Sequence, residues 1–418
     1  MKYMELTAEQ QQIMDGAKGA FLAKCMRWLV EWGAAMGARR LIPVTNTHAL
    51  VTVPGNLVWG ANQKTIDNAM TLLRPACQHR VCCHSTTHIT FAHEEQYDEI
   101  EMPQEQVEAQ LEVMEMAREA GFLMTYTCAP YLVGNVPLKG EVCAWTESSA
   151  VVYANSILGA RTTRHGTESA IAAALVGFVP EFSVLLDENR RATLQVDVTA
   201  QLRTPTDWGA LGYFTGKIAG LDVPVFQGTP QPSQEDAKQL CAALATGGGV
   251  TMCHIVSVTP EAATLEQALG GNPPKLKVTF GDSELRDSYS QLRIHTGDAI
   301  DTVILGCPHA SLNEIAEIAL YLKGKRLADE LKLWVCTAYA TRANAERLGY
   351  AKMIYDAGGY LFCDTCPTNS MRLDAKRIVT AGFKQAHYAR NMIKAEVIVD
   401  AVKGCLDAAL TGRWSYVG

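Results

Sequence analysis

Thr302-Val-Ile-Leu-Gly306-Cys307-Pro308-His309-Ala-Ser-Leu312-Asn-Glu314 decides how this chain folds. Thr302 to Leu305 reads as a strand, Gly306-Cys307 as its exit, and Leu312 to Leu322 as the next helix. The rhythm then repeats. Leu333 to Cys336 predicts a strand, Ala343 to Leu348 a helix, and Tyr360 to Phe362 a strand that ends on Cys363-Asp364-Thr365-Cys366. Strand–helix alternation of this kind predicts an α/β fold. It also sets Cys307 and Cys366 just past strand ends, the edge of an open α/β sheet where ligands bind.

Upstream the pattern is looser. Thr7 to Gln10 reads as a capping box, Ala20 to Met36 and Gln104 to Glu119 as helices, Leu41 to Val53 as β-rich, and Asn62 to Leu73 as a helix. Phe122 to Thr127 predicts a strand that delivers Cys128. Ser148 to Leu158 and Glu168 to Leu175 predict two further helices. Thr204-Pro205-Thr206 reads as a domain crossing, which divides the chain into residues 1–205, an inserted α/β domain at 206–295, and a C-terminal α/β domain at 296–418.

Composition narrows the function. The chain has 418 residues, 48% hydrophobic and 19% charged, with a net charge of -7, which argues against a nucleic-acid binder. Met1 to Gln12 carries no apolar signal-peptide core, and Ile171 to Val179 is too short to span a bilayer. A soluble, cytoplasmic protein is expected. In that compartment its 13 cysteines are expected as thiols rather than disulfides.

Three of these thiols, Cys128, Cys307 and Cys366, each precede a proline within two residues. Three thiolates are one short of saturating an iron–sulfur cluster, and an iron with an open position acts as a Lewis acid. On spacing alone, packed core thiols remain the simpler reading. Cys363-x-x-Cys366 also suggests a thioredoxin-like redox pair, but Pro367 and the lack of a following helix disfavour it. Cys82, Cys83, His84, His88 and His93 offer a zinc alternative. Ser85 to Phe91, however, is rich in threonine and β-branched residues and predicts a strand or loop. Gly212-Tyr-Phe-Thr-Gly216-Lys217 is one residue short of a phosphate loop. Ser148, Ser149, Asn155, Arg161 and Arg164 form a denser polar group. Its arginines suit a carboxylate or phosphate, or else pair with Glu147 or Glu168.

Several longer segments carry a resemblance. They are Cys128 to Pro137, Ala144 to Ser156, Leu158 to Thr162, His254 to Glu261, Gly306 to Glu314, Asp364 to Cys366 and Lys384 to Tyr388. In this order they resemble the large subunit of aconitase X, a group that includes phosphomevalonate and cis-3-hydroxy-L-proline dehydratases. The resemblance implies an aconitase-like three-domain α/β architecture around an iron–sulfur site, [4Fe-4S] or [2Fe-2S], with Cys128, Cys307 and Cys366 as ligands. It implies a hydro-lyase in which the open iron binds the substrate hydroxyl and carboxylate. Ser148, Ser149, Asn155, Arg161 and Arg164 would then hold the substrate anion. His309 would contact the leaving group or orient water, and Lys384 and His387 would contribute further anion contacts.

The resemblance also implies a small-subunit partner carrying the swivelling domain and a base serine, because the chain ends soon after Tyr388. The sequence departs from the family pattern at Thr163 and His165, where asparagine and glutamate are commoner, and in the Cys82 to His93 region. The acidic balance, with no added arginine or lysine cluster, favours a 3-hydroxyproline-like amino acid over a phosphomevalonate-type substrate. A non-catalytic member that binds a small anion is the remaining alternative.

Overall fold

The computed structural model describes residues 4–53, 63–90, 93–100, 103–293, 299–367 and 375–415. Asn62 and Phe91, the outer residues of two predicted segments, lie outside them. The C-terminal region is a five-stranded sheet in the order Tyr360–Cys363, Lys332–Thr337, Thr302–Leu305, Arg377–Thr380, Glu396–Val399. Every neighbouring pair is parallel. Thr302–Leu305 is buried throughout, as a parallel strand covered on both faces must be. One covering helix, Leu312–Leu322, starts at a capping box between Ser311 and Glu314 and buries Ile315, Ile318, Ala319 and Leu322.

The order of strands matters for the site. From Thr302–Leu305 the chain winds outward through two strands, then returns to lay Arg377–Thr380 on the other flank. The crevice where winding reverses lies past the ends of Thr302–Leu305 and Arg377–Thr380, and ligands bind at such switch points. Cys307 leaves the first of these strands and Lys384 follows the second.

A second parallel sheet has the order His254–Ile255, Pro224–Gln227, Leu194–Val198, Leu276–Phe280. It therefore includes a strand that precedes the expected crossing at Thr204-Pro205-Thr206. Those residues instead open the helix Pro205–Ala219, with Thr204 and Asp207 forming a capping box. The near phosphate loop lies inside the same helix. A Cβ on Gly212 would sit 2.5 Å from Leu240 O, and one on Gly216 2.8 Å from Leu244 O, so these glycines let the helix cross Gln234–Gly247 closely.

The N-terminal region pairs His84–Thr87, Asn46–Ala49 and Cys143–Trp145 in parallel, beside a short antiparallel pair, Leu41–Pro43 with Phe178–Pro180. The helices Ala20–Ala35, Gln63–Ala76 and Gln104–Ala120 follow the predicted spacing. The helix expected from Ser148 is α-helical over Ser148–Tyr153 and widens to a π-turn over Ala154–Leu158. The strand expected before Cys128 does not form: Leu123 makes a single bridge to Thr86. Hydroxyls take the place of a ladder, with Thr125 donating to Thr87 O and Tyr126 N–H to Thr87 Oγ1.

One apolar core joins the three regions, running from Trp145 and Val151 through Leu240 and Phe280 to Ile304 and Phe383. Among the described residues no helix is long and apolar enough to cross a membrane.

Candidate active site

The exits of Thr302–Leu305 and Tyr360–Cys363, with the loop after Thr127, bring Cys307, Cys366 and Cys128 into one neighbourhood. Gly306 makes the turn to Cys307 with φ 84°, and a Cβ there would lie 2.1 Å from Cys336 O. No other residue fits that approach. Burial raises the thiols of Cys128, to about 12, and of Cys307; Glu147 and the Cys366 sulfur raise both further, the Cys128 sulfur also raises Cys307, and Lys384 opposes them. Cys336, on the neighbouring strand, feels the same three sulfurs, although it packs with Tyr97, Trp334 and Phe362. Sequence spacing gave no hint of it. Cys363 turns elsewhere, donating to Gln96 Oε1 at 3.5 Å and accepting from Arg342 at 3.6 Å.

Among the described residues no three His, Cys, Asp or Glu side chains close to the spacing of a single metal ion. A cluster of several irons is wider than one ion, and soft thiols are its usual ligands. The donor set fits such a group in kind. It offers three thiols in mutual electrostatic reach, an ammonium beside them, and the backbone N–H of His309 donating to Cys128 Sγ at 3.2 Å. The thiols would release their protons on binding.

His309 is buried, and both ring nitrogens are engaged. Nε2 lies 2.8 Å from Thr365 O and Nδ1 lies 3.0 Å from Thr127 Oγ1. A carbonyl only accepts, so Nε2 carries the proton and Nδ1 accepts from the threonine. Burial lowers the ring to about 4, which keeps it neutral.

Lys384 donates to Glu147 at 2.5 Å and to Ser149 Oγ at 3.1 Å. Glu147 also receives Ser149 N–H at 3.0 Å, Ser149 Oγ–H at 2.5 Å and His88 Nε2 at 2.9 Å. Its charge caps the start of helix Ser148–Tyr153, where the helix dipole favours an anion. Burial pushes the Glu147 carboxyl up, but Lys384 and His88 outweigh it and hold it well below its ordinary value. Burial likewise pulls Lys384 down, and Glu147, Cys307 and Cys128 more than reverse this. A permanent ammonium–carboxylate pair therefore stands beside the cysteines. Glu147 was read in the sequence only as a partner for arginine; its strongest neighbour is a lysine 237 positions away.

The other expected residues divide. Arg164 is mostly buried, donates to Val250 O at 2.6 Å and Ala245 O at 3.3 Å, and keeps its buried Nε without a partner. Burial lowers its pKa, while the charge of Glu147 and that of Tyr388 oppose this, so the guanidinium lies within electrostatic reach of Glu147. Arg161 instead bonds Leu185 O and Asp187. Asn155 braces the loop through Thr162 N–H, Thr162 O and Thr251 O. Ser148 is half-buried at the helix start. His387 pairs its Nδ1 with Tyr213 Oη at 3.0 Å, beside the charges of Lys217 and Arg390.

The Cys82 to His93 stretch disperses. Cys82 bonds Ala174 O, His84 is exposed, His88 faces Glu147, and His93 stacks on Tyr339 at 4.4 Å. Thr90 N–H meets Asp364 O at 2.8 Å and His93 N–H meets Cys363 O at 3.2 Å, so the stretch laces the N-terminal region to the Cys366 loop. The zinc alternative has no assembled ligand set among the described residues.

Comparison with known proteins agrees with this architecture. Models of the aconitase X first, second and third domains match residues 3–188, 192–290 and 300–411. The phosphomevalonate dehydratase large subunit of Methanothermobacter thermautotrophicus is 38% identical over 95% of this chain and 96% of its own. The cis-3-hydroxy-L-proline dehydratase of Hypocrea jecorina is 31% identical over 98% of this chain and 69% of its own. Thermococcus kodakaraensis aconitase X, solved in its holo-form, superposes with a TM-score of 0.84 and 35% identity, covering 97% of this chain and all of that one. Three domain matches in order, carried on this fold, place the chain in the aconitase X family.

Proposed function

We propose that this chain is the large subunit of an iron–sulfur-dependent hydro-lyase that eliminates water from a small hydroxy acid. The observation that carries the reading is the convergence of Cys128, Cys307 and Cys366 beside the buried Lys384–Glu147 pair. Cys128, Cys307 and Cys366 would hold the cluster, which when bound supplies Lewis acidity toward a substrate oxygen. Arg164, with a donor to spare, binds the anionic end of the substrate. Lys384 holds a fixed positive charge against the developing negative charge of the reaction, and Glu147 and Ser149 fix its position. Arg161 and Asn155 act by shaping the loop that carries Arg164.

The relatives named as large subunits support a small-subunit partner. The longer hydroxyproline dehydratases support it too, since they extend well past the region this chain matches. A 3-hydroxyproline-like amino acid is the substrate favoured by the acidic chain. A phosphomevalonate-type substrate is the second reading, favoured by the higher identity to those relatives. The test is dehydration of cis-3-hydroxy-L-proline and of phosphomevalonate by the anaerobically reconstituted chain with its small subunit. Turnover of either supports a hydro-lyase and chooses between the two. Turnover of neither nor of other small hydroxy acids, by a cluster-loaded complex, refutes it.

A further inference from the structure

We propose that His309 is the positioning residue of the cysteine site: its ring and backbone tie the three cysteine loops into one frame and the ring does not touch substrate. The inference rests on the cluster reading above and assigns this residue a role other than contact with the leaving group.

The geometry is specific. Nε2–H donates to the carbonyl of Thr365, the residue directly before Cys366. Nδ1 accepts from the hydroxyl of Thr127, the residue directly before Cys128. That hydroxyl also accepts the N–H of Ala129, directly after Cys128. His309 itself follows Cys307 by two residues, and its backbone N–H donates to Cys128 Sγ. One residue thus touches all three loops at positions adjacent to the sulfurs.

The frame has an outer anchor. Lys238, buried in the helix Gln234–Gly247, donates to His309 O at 2.9 Å and Pro308 O at 3.4 Å, and pairs with Glu314. The middle region therefore holds the Cys307 loop from behind while the ring holds the other two from the front. A ring bonded at both nitrogens, with 2% of the residue exposed, has no free atom for a substrate.

Removing groups that orient metal ligands typically costs about 10–100-fold in metal affinity. The test compares wild type, His309→Ala and the milder Thr127→Val after anaerobic reconstitution. Iron and sulfide per chain, the visible circular dichroism of the cluster, and iron release to a chelator are measured. His309→Ala is expected to release iron about 10–100-fold faster, with an altered dichroism spectrum, and added imidazole is expected to restore both in part. Thr127→Val is expected to shift both in the same direction by less, and it serves where His309→Ala fails to fold. KM per loaded site is expected to stay unchanged.

A His309→Ala protein with wild-type iron release and dichroism overturns the proposal, as does a wild-type spectrum joined to a raised KM. Wild-type protein that takes up no iron and sulfide fails at the earlier step and refutes the cluster reading itself.

Discussion

Replacing Glu147 by glutamine isolates the charge pair at the centre of the site. The side chains of Lys384 and Glu147 are only 11% and 10% exposed, so solvent screens the pair little. Burial acts against both charges, and each survives because the other is 2.5 Å away. Removing one leaves a buried, uncompensated ammonium, a loss of about 3–5 kcal/mol. At a urea slope of about 3 kcal/mol per M, the unfolding midpoint falls by roughly 1–1.7 M.

The double variant Glu147→Gln with Lys384→Met buries no charge and is expected to recover most of that loss. The pH dependence has a definite sign. Glu147 is depressed below its ordinary 4.5, so its contribution is full above that value and is lost as pH falls through the depressed one. Lys384 is raised above its ordinary 10.5, so its contribution is full below that value and is lost only as pH climbs through the raised one. The gap between wild type and Glu147→Gln should therefore hold steady between these limits and close in strong acid. Urea titrations of the three proteins, followed by near-ultraviolet circular dichroism, check this. A Glu147→Gln midpoint equal to wild type, or a double variant less stable than the single one, refutes the reasoning.

Other sites give further expectations. Arg164→Gln removes a charged donor and should raise KM about 10–100-fold, measured on the reconstituted complex, with a smaller change in kcat. Cys366→Ser should lower bound iron and sulfide, whereas Cys363→Ser, engaged with Gln96 and Arg342, should retain both on elemental analysis. Gly212→Ala forces a methyl against Leu240 O and should cost about 1–3 kcal/mol in urea unfolding.

The C-terminal sheet was legible because its signals are local: Thr302–Leu305 and the capped helix Leu312–Leu322 lie where period and capping place them. Phe122 to Thr127 misled because its apolar residues suit a strand, yet the Thr125 hydroxyl donates to Thr87 O and the Thr87 hydroxyl accepts from Tyr126 N–H in place of a regular ladder. The Lys384–Glu147 pair could not be read at all, since nothing local marks two residues joined only by folding. The cysteines fall between: their loops were locally recognisable, but that they face one another depends on a switch point set by strand order. Cys336 stayed hidden because, within a buried strand, a thiol looks like any other small apolar residue.

Iron and acid-labile sulfide analysis of the anaerobically prepared chain, with its visible spectrum, tests the central claim most directly. The account predicts stoichiometric iron and sulfide with broad visible absorption, lost together when Cys128, Cys307 and Cys366 are replaced by serine. A chain that stays colourless after reconstitution with iron and sulfide, or one that keeps its cluster without those three thiols, contradicts it.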